Sequence, residues 1–166
     1  TKSQITAGVF PPIGLAYIAA VLAENDHKVE IIDALGEAFD KFSLYNDDIY
    51  IRGLTINEIV KEVEKGDPDL VGISNLFTFA FPLVKDITNA IKEVTSVPIA
   101  IGGAHPSIET ERVLQSSQID YAVISEGEYT ILNLVKYLEN GSGLDKIDGI
   151  GCPSCRGINT RKPSGL

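Results

Sequence analysis

Short apolar runs alternate with longer amphipathic segments along most of this chain. Four runs are rich in β-branched residues, as is typical of strands buried in a parallel sheet. They cover residues 28–33, 70–74, 97–101 and 120–124. Between them, apolar residues recur three and four positions apart, which predicts helices beginning near Ile13, Thr55, Pro82, Ile108 and Glu128. This alternation predicts an α/β fold, a doubly wound parallel sheet of flavodoxin-like or Rossmann-like type with helices on both faces.

The two ends of the chain fit this pattern less well. A doubly wound sheet normally opens with a strongly apolar strand, but before the first predicted helix only Ile5 to Val9 alternates weakly. Either this segment is the first strand or that strand lies upstream of Thr1, and we favour the second interpretation. At the other end, Gly149 to Arg161 predicts a two-stranded hairpin around Pro153 and Ser154. The chain is therefore divided into an α/β domain, residues 1–148, and a hairpin or linker, residues 149–166.

The connection between the first two buried runs contains one irregular stretch and one clear helix start. Residues 35–53 carry scattered aromatic and acidic side chains and are predicted to form a long loop. Thr55 and Glu58 have the spacing of a capping box, which predicts a helix from there to Lys65. Gly66 is placed to end that helix.

The run from Val97 to Ile101 ends at two glycines, and this junction is the centre of the predicted site. In an open α/β sheet, ligands bind at the carboxyl ends of the strands, and glycines there let a large ligand approach the backbone. Other unusual residues also follow predicted strands. The candidate cofactor-binding residues are Ser74, Asn75, Leu76, Phe77, Thr78, Gly102, Gly103, Ala104, His105, Pro106, Glu126, Gly127 and Glu128.

Each candidate also has an ordinary structural explanation. The glycine pair alone fits a strand-to-helix turn, and His105 alone fits a turn residue. Ser74 can satisfy a loop amide, while Glu126 and Glu128 are typical of solvated or helix-capping acids. Their joint placement at one rim of the predicted sheet is what favours a binding site.

Composition narrows the classes of partner. The chain has 166 residues and a formal net charge of −9, so we expect no nucleic-acid partner, because neutralising phosphates requires clustered Lys and Arg. No apolar run reaches the length of a membrane span, and the amino-terminal stretch lacks the layout of a signal peptide. We therefore expect no membrane partner and a cytoplasmic location.

The two cysteines, Cys152 and Cys155, form a single C-x-x-C pair. No second pair accompanies it, and no strand-to-helix junction follows, so neither a zinc site nor a thioredoxin motif is indicated. We interpret the pair as incidental and predict no metal ligands.

Six short segments occur in a fixed order along the chain. They are PPIGLAYIAA (11–20), VEIIDA (29–34), DLVGIS (69–74), IGGAHPS (101–107), IDYAV (119–123) and EGE (126–128). Each segment is weak evidence by itself, but the ordered set covers nearly the whole chain. The set resembles the amino-terminal domain of cobalamin-dependent radical SAM enzymes.

The resemblance implies a cobalamin-binding module. Ser74-x-Leu76 and the pair Gly102-Gly103 correspond to family elements that contact the nucleotide tail, which leaves the corrin and inserts beside the first strand. The corrin itself would lie over residues 76–78, 104–106 and 126–128. On this interpretation, Gly103→Leu should block insertion of the tail while leaving the fold intact.

The same resemblance implies that the reaction takes place elsewhere. A radical SAM domain would supply the iron–sulfur cluster and S-adenosylmethionine, and its three-cysteine element is absent from this sequence. That domain is therefore an implied partner, and residues 149–166 would lead toward it. Methyl transfer is the commonest role implied, with ring closure or oxidation also open, and no residue of this chain is predicted to be catalytic.

One departure from other cobalamin proteins concerns the cobalt ligand. The Asp-x-His-x-x-Gly segment of methionine-synthase-type domains is absent, since His27 precedes a strand on the far rim and His105 follows the glycines. No protein ligand to cobalt is predicted, although His105 is placed to line the corrin edge. The alternatives are a flavodoxin-like binding domain or a subunit-interaction module without cobalamin; a receiver lysine and a flavin phosphate loop are not found.

Overall fold

A computed structural model describes residues 11–116, 118–153 and 155. The helices are α1 (Ile13–Glu24), α2 (Ile56–Gly66), α3 (Phe81–Val94), α4 (Ala104–Ile108), α5 (Thr110–Leu114) and α6 (Glu128–Asn140). The strands are β1 (Phe42–Asn46), β2 (Ile49–Arg52), β3 (Val71–Ser74), β4 (Ile99–Gly102), β5 (Tyr121–Val123) and β6 (Ile150–Gly151). Short 3₁₀ turns lie before α3 and after α6.

Within the described residues, four strands form the main sheet, in the order β3-β4-β5-β6. β3, β4 and β5 are parallel, with Ser74 opposite Gly102 and Ile101 opposite Ala122. β6 pairs antiparallel with β5. The carboxyl ends of three successive parallel strands therefore meet at one edge, as the alternating pattern predicts.

The core lies in two layers, one on each face of β4. Ile99 and Ile101 face a cluster built mainly from α2 and α3, whereas Ala100 faces a cluster built from α1 and α6. These three residues are at most 1% exposed. The predicted strand buried on both faces is confirmed, and so is the α/β class with helices on both sides of a parallel sheet.

The predicted capping box opens α2. The Thr55 hydroxyl accepts a hydrogen bond from the Glu58 amide, and the Glu58 carboxylate accepts one from the Thr55 amide. The predicted end of this helix is one residue early. Gly66 remains helical, and Asp67 takes the left-handed conformation (φ 45°) that closes the helix.

Two predictions between α1 and α2 are wrong. Residues 28–33 are not a strand, since no other described segment pairs with them. Residues 35–53 are not a continuous irregular loop, since β1 and β2 form an antiparallel hairpin with Ser43 opposite Ile51. The Tyr45 hydroxyl of this hairpin donates a hydrogen bond to the Asp86 carboxylate on α3.

The carboxyl-terminal hairpin can be followed only in part. Its first strand corresponds to β6, whose partner among the described residues is β5. The turn residue Ser154 and the returning segment to Arg161 lie outside the described residues. Cys152 and Cys155 are joined by a disulfide. Within the described residues, no helix is long and apolar enough to cross a membrane.

A charged contact ties α3 to the strands it covers. The Lys92 ammonium donates hydrogen bonds to the Asp120 carboxylate and the Val97 carbonyl, each at 2.8 Å, and the same carboxylate accepts the Ile99 amide at 2.8 Å. Lys92→Ala should lower the free energy of unfolding by about 1–2 kcal/mol, because it removes two partly buried bonds. Lys65→Ala, which removes an exposed pair with Glu62, should change it much less. Urea unfolding followed by circular dichroism measures both free energies. Equal effects of the two substitutions would show that the Lys92 contact does not stabilise the fold more than an exposed ion pair does.

The capping box predicts a pH dependence of stability. The Lys41 ammonium, followed by the Thr55 amide and hydroxyl, lowers the pKa of Glu58 from 4.5 to about 2. Since the folded pKa is depressed, this stabilisation is present above pH 4.5 and is lost as the pH falls toward 2. The free energy of unfolding of Glu58→Gln should therefore be lower than that of the unsubstituted protein at pH 6, with the gap closing below pH 4.5. If the difference in free energy of unfolding stays constant down to pH 3, the ionised Glu58 carboxylate is not the source of the stabilisation. Glu62→Gln, on the same helix, is the control for loss of a charge.

Candidate functional site

The carboxyl ends of β3, β4 and β5 form one continuous edge, here called the carboxyl rim (residues 74–78, 102–106 and 125–128). Backbone hydrogen bonds join its first two segments. The Asn75 amide donates to the Gly102 carbonyl at 2.8 Å, and the His105 amide donates to the Asn75 carbonyl at 3.2 Å. The structure thus brings together the candidate residues that the sequence places after two different strands.

Gly103 is required by its own turn. Its φ of +112° lies in the region that favours glycine, and a Cβ there would lie 2.7 Å from the Asn75 carbonyl oxygen. The expectation that Gly103→Leu leaves the fold intact is therefore wrong. Gly102 differs, because a Cβ there would meet the Val123 Cβ at an ordinary 3.6 Å. Of the two glycines, only Gly102 is free of a strict structural requirement.

Two polar side chains are buried at the base of the rim. Asn75 is 2% exposed and His105 1% exposed. Both polar atoms of the Asn75 side-chain amide lack a hydrogen-bond partner among the described residues, and so does the His105 Nε2. Unpartnered buried polar atoms are uncommon, because each costs about 1–3 kcal/mol. These atoms are the strongest sign within the rim that a polar group belongs there.

The His105 ring is held in place from two sides. Its Nδ1 lies 3.1 Å from the Thr78 hydroxyl, and its ring centroid lies 4.7 Å from that of Phe81. Burial lowers the pKa of His105, so the imidazole is neutral at pH 7. The ring thus lies beneath the rim, and the expectation that His105 lines the corrin edge stays a prediction.

Apolar side chains cover the outer part of the first rim segment. Leu76 is 59% exposed and Phe77 60%, and the neighbouring Phe79 is 83% exposed. The two phenyl rings stack with centroids 5.4 Å apart. Exposed apolar groups in a cluster mark a surface that binds something. Sequence reasoning missed Phe79, because the aromatic residues of this segment look alike in sequence although Phe81 is only 5% exposed.

One hydroxyl connects the second and third rim segments. The Ser107 hydroxyl donates to the Gly103 carbonyl at 2.8 Å and accepts the Ser125 amide at 2.9 Å. Ser125 itself has a φ of 64°, which the bonded turn stabilises. Ser107 was not among the predicted site residues, but a serine four positions after a helix-initiating glycine is a recognisable signal for such a bond.

The remaining predicted residues divide between surface and core. Ser74, Ala104 and Glu126 are exposed at the rim, while Gly127 and Glu128 are partly exposed. Pro106 is fully buried beside His105. The second histidine, His27, lies near Glu139 (3.8 Å) at the end of α6, which places it at the opposite edge as predicted.

The rim combines two features that suit an amphipathic ligand. It offers exposed apolar and aromatic groups at its surface and unpartnered amide atoms at its base. Among the described residues, no three His, Cys, Asp or Glu side chains lie close enough to hold a metal ion. The arrangement is that of a binding surface.

Comparisons with known proteins show the family of this chain. The family model for the B12 binding domain matches residues 6–135. Over 142 residues the chain is 34% identical to cytidylyl-2-hydroxyethylphosphonate methyltransferase of Streptomyces wedmorensis, covering 84% of this chain and 27% of that protein. It is 33% identical to the anaerobic magnesium-protoporphyrin IX monomethyl ester cyclase of Synechocystis sp. over 151 residues, covering 89% of this chain and 27% of that protein. The chain thus spans about a quarter of the length of these relatives.

A solved structure extends the comparison to three dimensions. The cobalamin-dependent S-adenosylmethionine radical enzyme OxsB, solved with aqua-cobalamin and S-adenosylmethionine bound, superposes with a TM-score of 0.65 at 26% identity. The match covers 84% of this chain and 18% of OxsB. The family model matches more than three quarters of the residues of this chain. The chain therefore belongs to the B12-binding domain family, in the form that accompanies radical SAM enzymes.

Proposed function

We propose that this domain holds cobalamin across its carboxyl rim, as the cofactor-binding part of a radical SAM enzyme. The observation that carries the proposal is the buried, unpartnered amide of Asn75 beneath an exposed aromatic surface. Cobalamin is a broad macrocycle with apolar faces, amide side chains and a nucleotide tail. It therefore matches both features of the rim, and the residues present fit the group.

The rim residues have separable roles in this proposal. Leu76 and Phe77 pack against the corrin and exclude water from it. Asn75 supplies a donor and an acceptor to polar groups of the cofactor, which removes the cost of leaving its amide unsatisfied. Gly102 leaves room beside β4, and the Ser74 hydroxyl contacts the nucleotide tail.

Other residues act by position and charge. Thr78 is oriented by its contact with His105, and Glu126 with Glu128 provides acceptors at the edge of the rim. Because His105 is buried and neutral, it serves to position the Thr78 loop and does not ligate cobalt. When bound, cobalamin would supply methyl-group or one-electron chemistry, while the domain orients it and limits access of water.

The reaction of the whole protein is proposed from its relatives. One is named a methyltransferase and another a cyclase, so the domain is shared by different reactions. We favour methyl transfer, with the iron–sulfur cluster and S-adenosylmethionine held by a radical SAM domain that faces the rim. Residues 149–166 would lead toward that domain. The proposal includes a cytoplasmic location, where S-adenosylmethionine is made.

The direct test is cofactor retention. The full-length protein is incubated with hydroxocobalamin, desalted, and examined by visible spectroscopy. We expect corrin absorption to travel with the protein in a ratio close to one. A protein fraction without corrin bands would reject the proposal and favour a binding or subunit-interaction module that does not use cobalamin.

Asn75→Leu separates ligand binding from folding. Replacing an unsatisfied buried amide with an apolar group of similar size should leave the stability of the cofactor-free protein equal or higher. The dissociation constant for hydroxocobalamin should rise about 10- to 100-fold, because a polar group of the ligand then loses its partner. Thermal melts and spectral titration measure the two quantities. The matched control is Asn133→Leu, at an exposed position of α6, which should change neither.

The two glycines should respond differently to the same substitution. Gly103→Ala should lower the free energy of unfolding by at least about 1–3 kcal/mol, because of its positive φ and the contact with the Asn75 carbonyl. Gly102→Ala should leave stability nearly unchanged and weaken cobalamin retention, because the added methyl occupies space beside β4. If Gly102→Ala folds and retains cobalamin as well as the unsubstituted protein does, the nucleotide tail does not lie beside Gly102.

A further inference from the structure

The hairpin of β1 and β2 presents an apolar face to solvent. Its register places Phe42 opposite Arg52 and Leu44 opposite Tyr50, and residues directly opposite each other share one face of a sheet. We call this surface the hairpin face (Phe42, Leu44, Tyr50 and Arg52). Phe42 is 63% exposed, Leu44 58% and Tyr50 66%. The hairpin therefore exposes three large apolar side chains side by side.

Contacts with the rest of the domain hold the hairpin face in place. On the opposite side of β1, the Tyr45 hydroxyl donates a hydrogen bond to the Asp86 carboxylate on α3. The Arg52 guanidinium lies 3.3 Å from the centroid of the Phe39 ring and 5.2 Å from that of the Phe42 ring. It also donates a hydrogen bond to the Phe39 carbonyl. The surface is thus preformed, which reduces the entropy lost when a partner binds.

β1 also has a free backbone edge. The Gly53 amide donates to the Lys41 carbonyl at 2.9 Å, and the alternation of backbone groups then directs those of Phe42 and Leu44 away from β2. No described segment pairs with this edge. Residues 42–46 contain no proline and no charged residue, although edges that stay open in solution typically carry such residues to prevent pairing. The edge therefore also indicates a surface that is covered in the whole protein.

The size of the apolar surface favours a neighbouring domain over a separate protein. Two aromatic side chains and one leucine, each more than half exposed, present about 400 Å² with the adjoining Phe39 ring. Covering them would bury about 800 Å² over both surfaces, within the range of about 600–1,500 Å² for contacts between domains of one chain. Stable complexes of separate proteins bury about 1,200–2,000 Å². A covalent link compensates for the smaller area by raising the effective concentration.

Exposed acidic residues border the hairpin face and define the charge of its partner. Asp40 precedes β1, and Asp47 and Asp48 form the turn between the two strands. The nearby Lys41 ammonium already pairs with the Glu58 carboxylate. A second copy of this chain would bring the same acids against these, so like charges would oppose its approach. The acids instead match a surface with an apolar centre and a basic edge.

The hairpin lies close to the carboxyl rim. α3 begins at Phe81, whose ring packs on His105 beneath the rim. Asp86, which holds the hairpin, is five residues further along this helix, a distance of about 7–8 Å. The exposed Phe77 and Phe79 precede the same helix start. A domain that covers the rim therefore reaches the hairpin by extending a short way along α3.

We propose that the hairpin face is a docking site for the domain of the same polypeptide that faces the carboxyl rim. The docking surface of that domain has an apolar centre, which buries Phe42, Leu44 and Tyr50, and Lys or Arg at its edge, which meet Asp47 and Asp48. The inference rests on the proposed function for the presence of that domain. Because the contact lies beside the rim, it forms with or without cobalamin.

Hydroxyl-radical footprinting of the full-length protein, without cobalamin, tests the proposal. Tyr17 is the matched control, since it is 63% exposed against 66% for Tyr50 and lies on α1, on the other face of the sheet. Tyr50 should be oxidised at least about 10-fold more slowly than Tyr17, because a surface that is open a tenth of the time is attacked a tenth as often. Oxidation of Tyr50 as fast as that of Tyr17 would overturn the proposal. So would protection of Tyr50 that is lost on dilution, since the partner would then be a second copy of the chain.

Leu44→Glu tests whether the hairpin face itself makes the contact. Because Leu44 is exposed, the fold should persist by circular dichroism, while Tyr50 oxidation should rise at least about 5-fold as a charge enters an apolar contact. Val94→Glu, at the exposed end of α3 away from the rim, is the control and should leave Tyr50 oxidation unchanged. Equal effects of the two variants would reject the hairpin face as the docking site.

Reversing the charge of the hairpin turn tests the chemistry of the partner. Asp47→Lys combined with Asp48→Lys should also speed Tyr50 oxidation, because basic groups at the edge of the partner would then meet like charge. Slower oxidation of Tyr50 in this variant would show an acidic edge and contradict the proposal. These footprints do not require bound cobalamin, so a protein that fails to retain the cofactor can still confirm or reject the docking site.

Discussion

The backbone contact between Asn75 and the turn at Gly102 and Gly103 is the constraint on which the carboxyl rim depends. It holds the end of β3 against the end of β4 closely enough that a side chain at Gly103 would meet the Asn75 carbonyl oxygen. Asn75 is buried at the same contact, and the polar atoms of its side-chain amide lack partners among the described residues. A tight turn and an unsatisfied amide are thus two results of one arrangement.

Much of the fold could be predicted from sequence because its signals are local or depend on burial alone. The capping box at Thr55 needs only four residues, and the β4 run is buried on both faces. The hairpin of β1 and β2 was missed because its apolar residues, such as Phe42 and Tyr50, remain largely exposed. Residues 28–33 have the composition of a strand, but a strand also needs a paired neighbour, which composition cannot supply.

The meeting of the candidate residues at one edge was predictable from the sequence, and the burial of each residue was less so. Parallel strands bring their carboxyl ends together, so the candidates after β3, β4 and β5 had to share one edge. Whether a residue there points outward depends on three-dimensional packing. His105 and Pro106 turn inward against the core, and Gly103 serves the turn itself. The exposed apolar surface comes from Leu76 and Phe77, which were among the candidates, and from Phe79, which was not.

Ser107 couples the loops of the carboxyl rim to one another. Its single hydroxyl joins the turn at Gly103 to the turn at Ser125, and the first of these turns also touches Asn75. Displacement of one loop therefore strains the other two, so the three loops should shift as a unit. A cofactor that presses on any one of them would change the shape of the whole edge that a neighbouring domain meets, and this gives occupancy a route to be sensed at a distance.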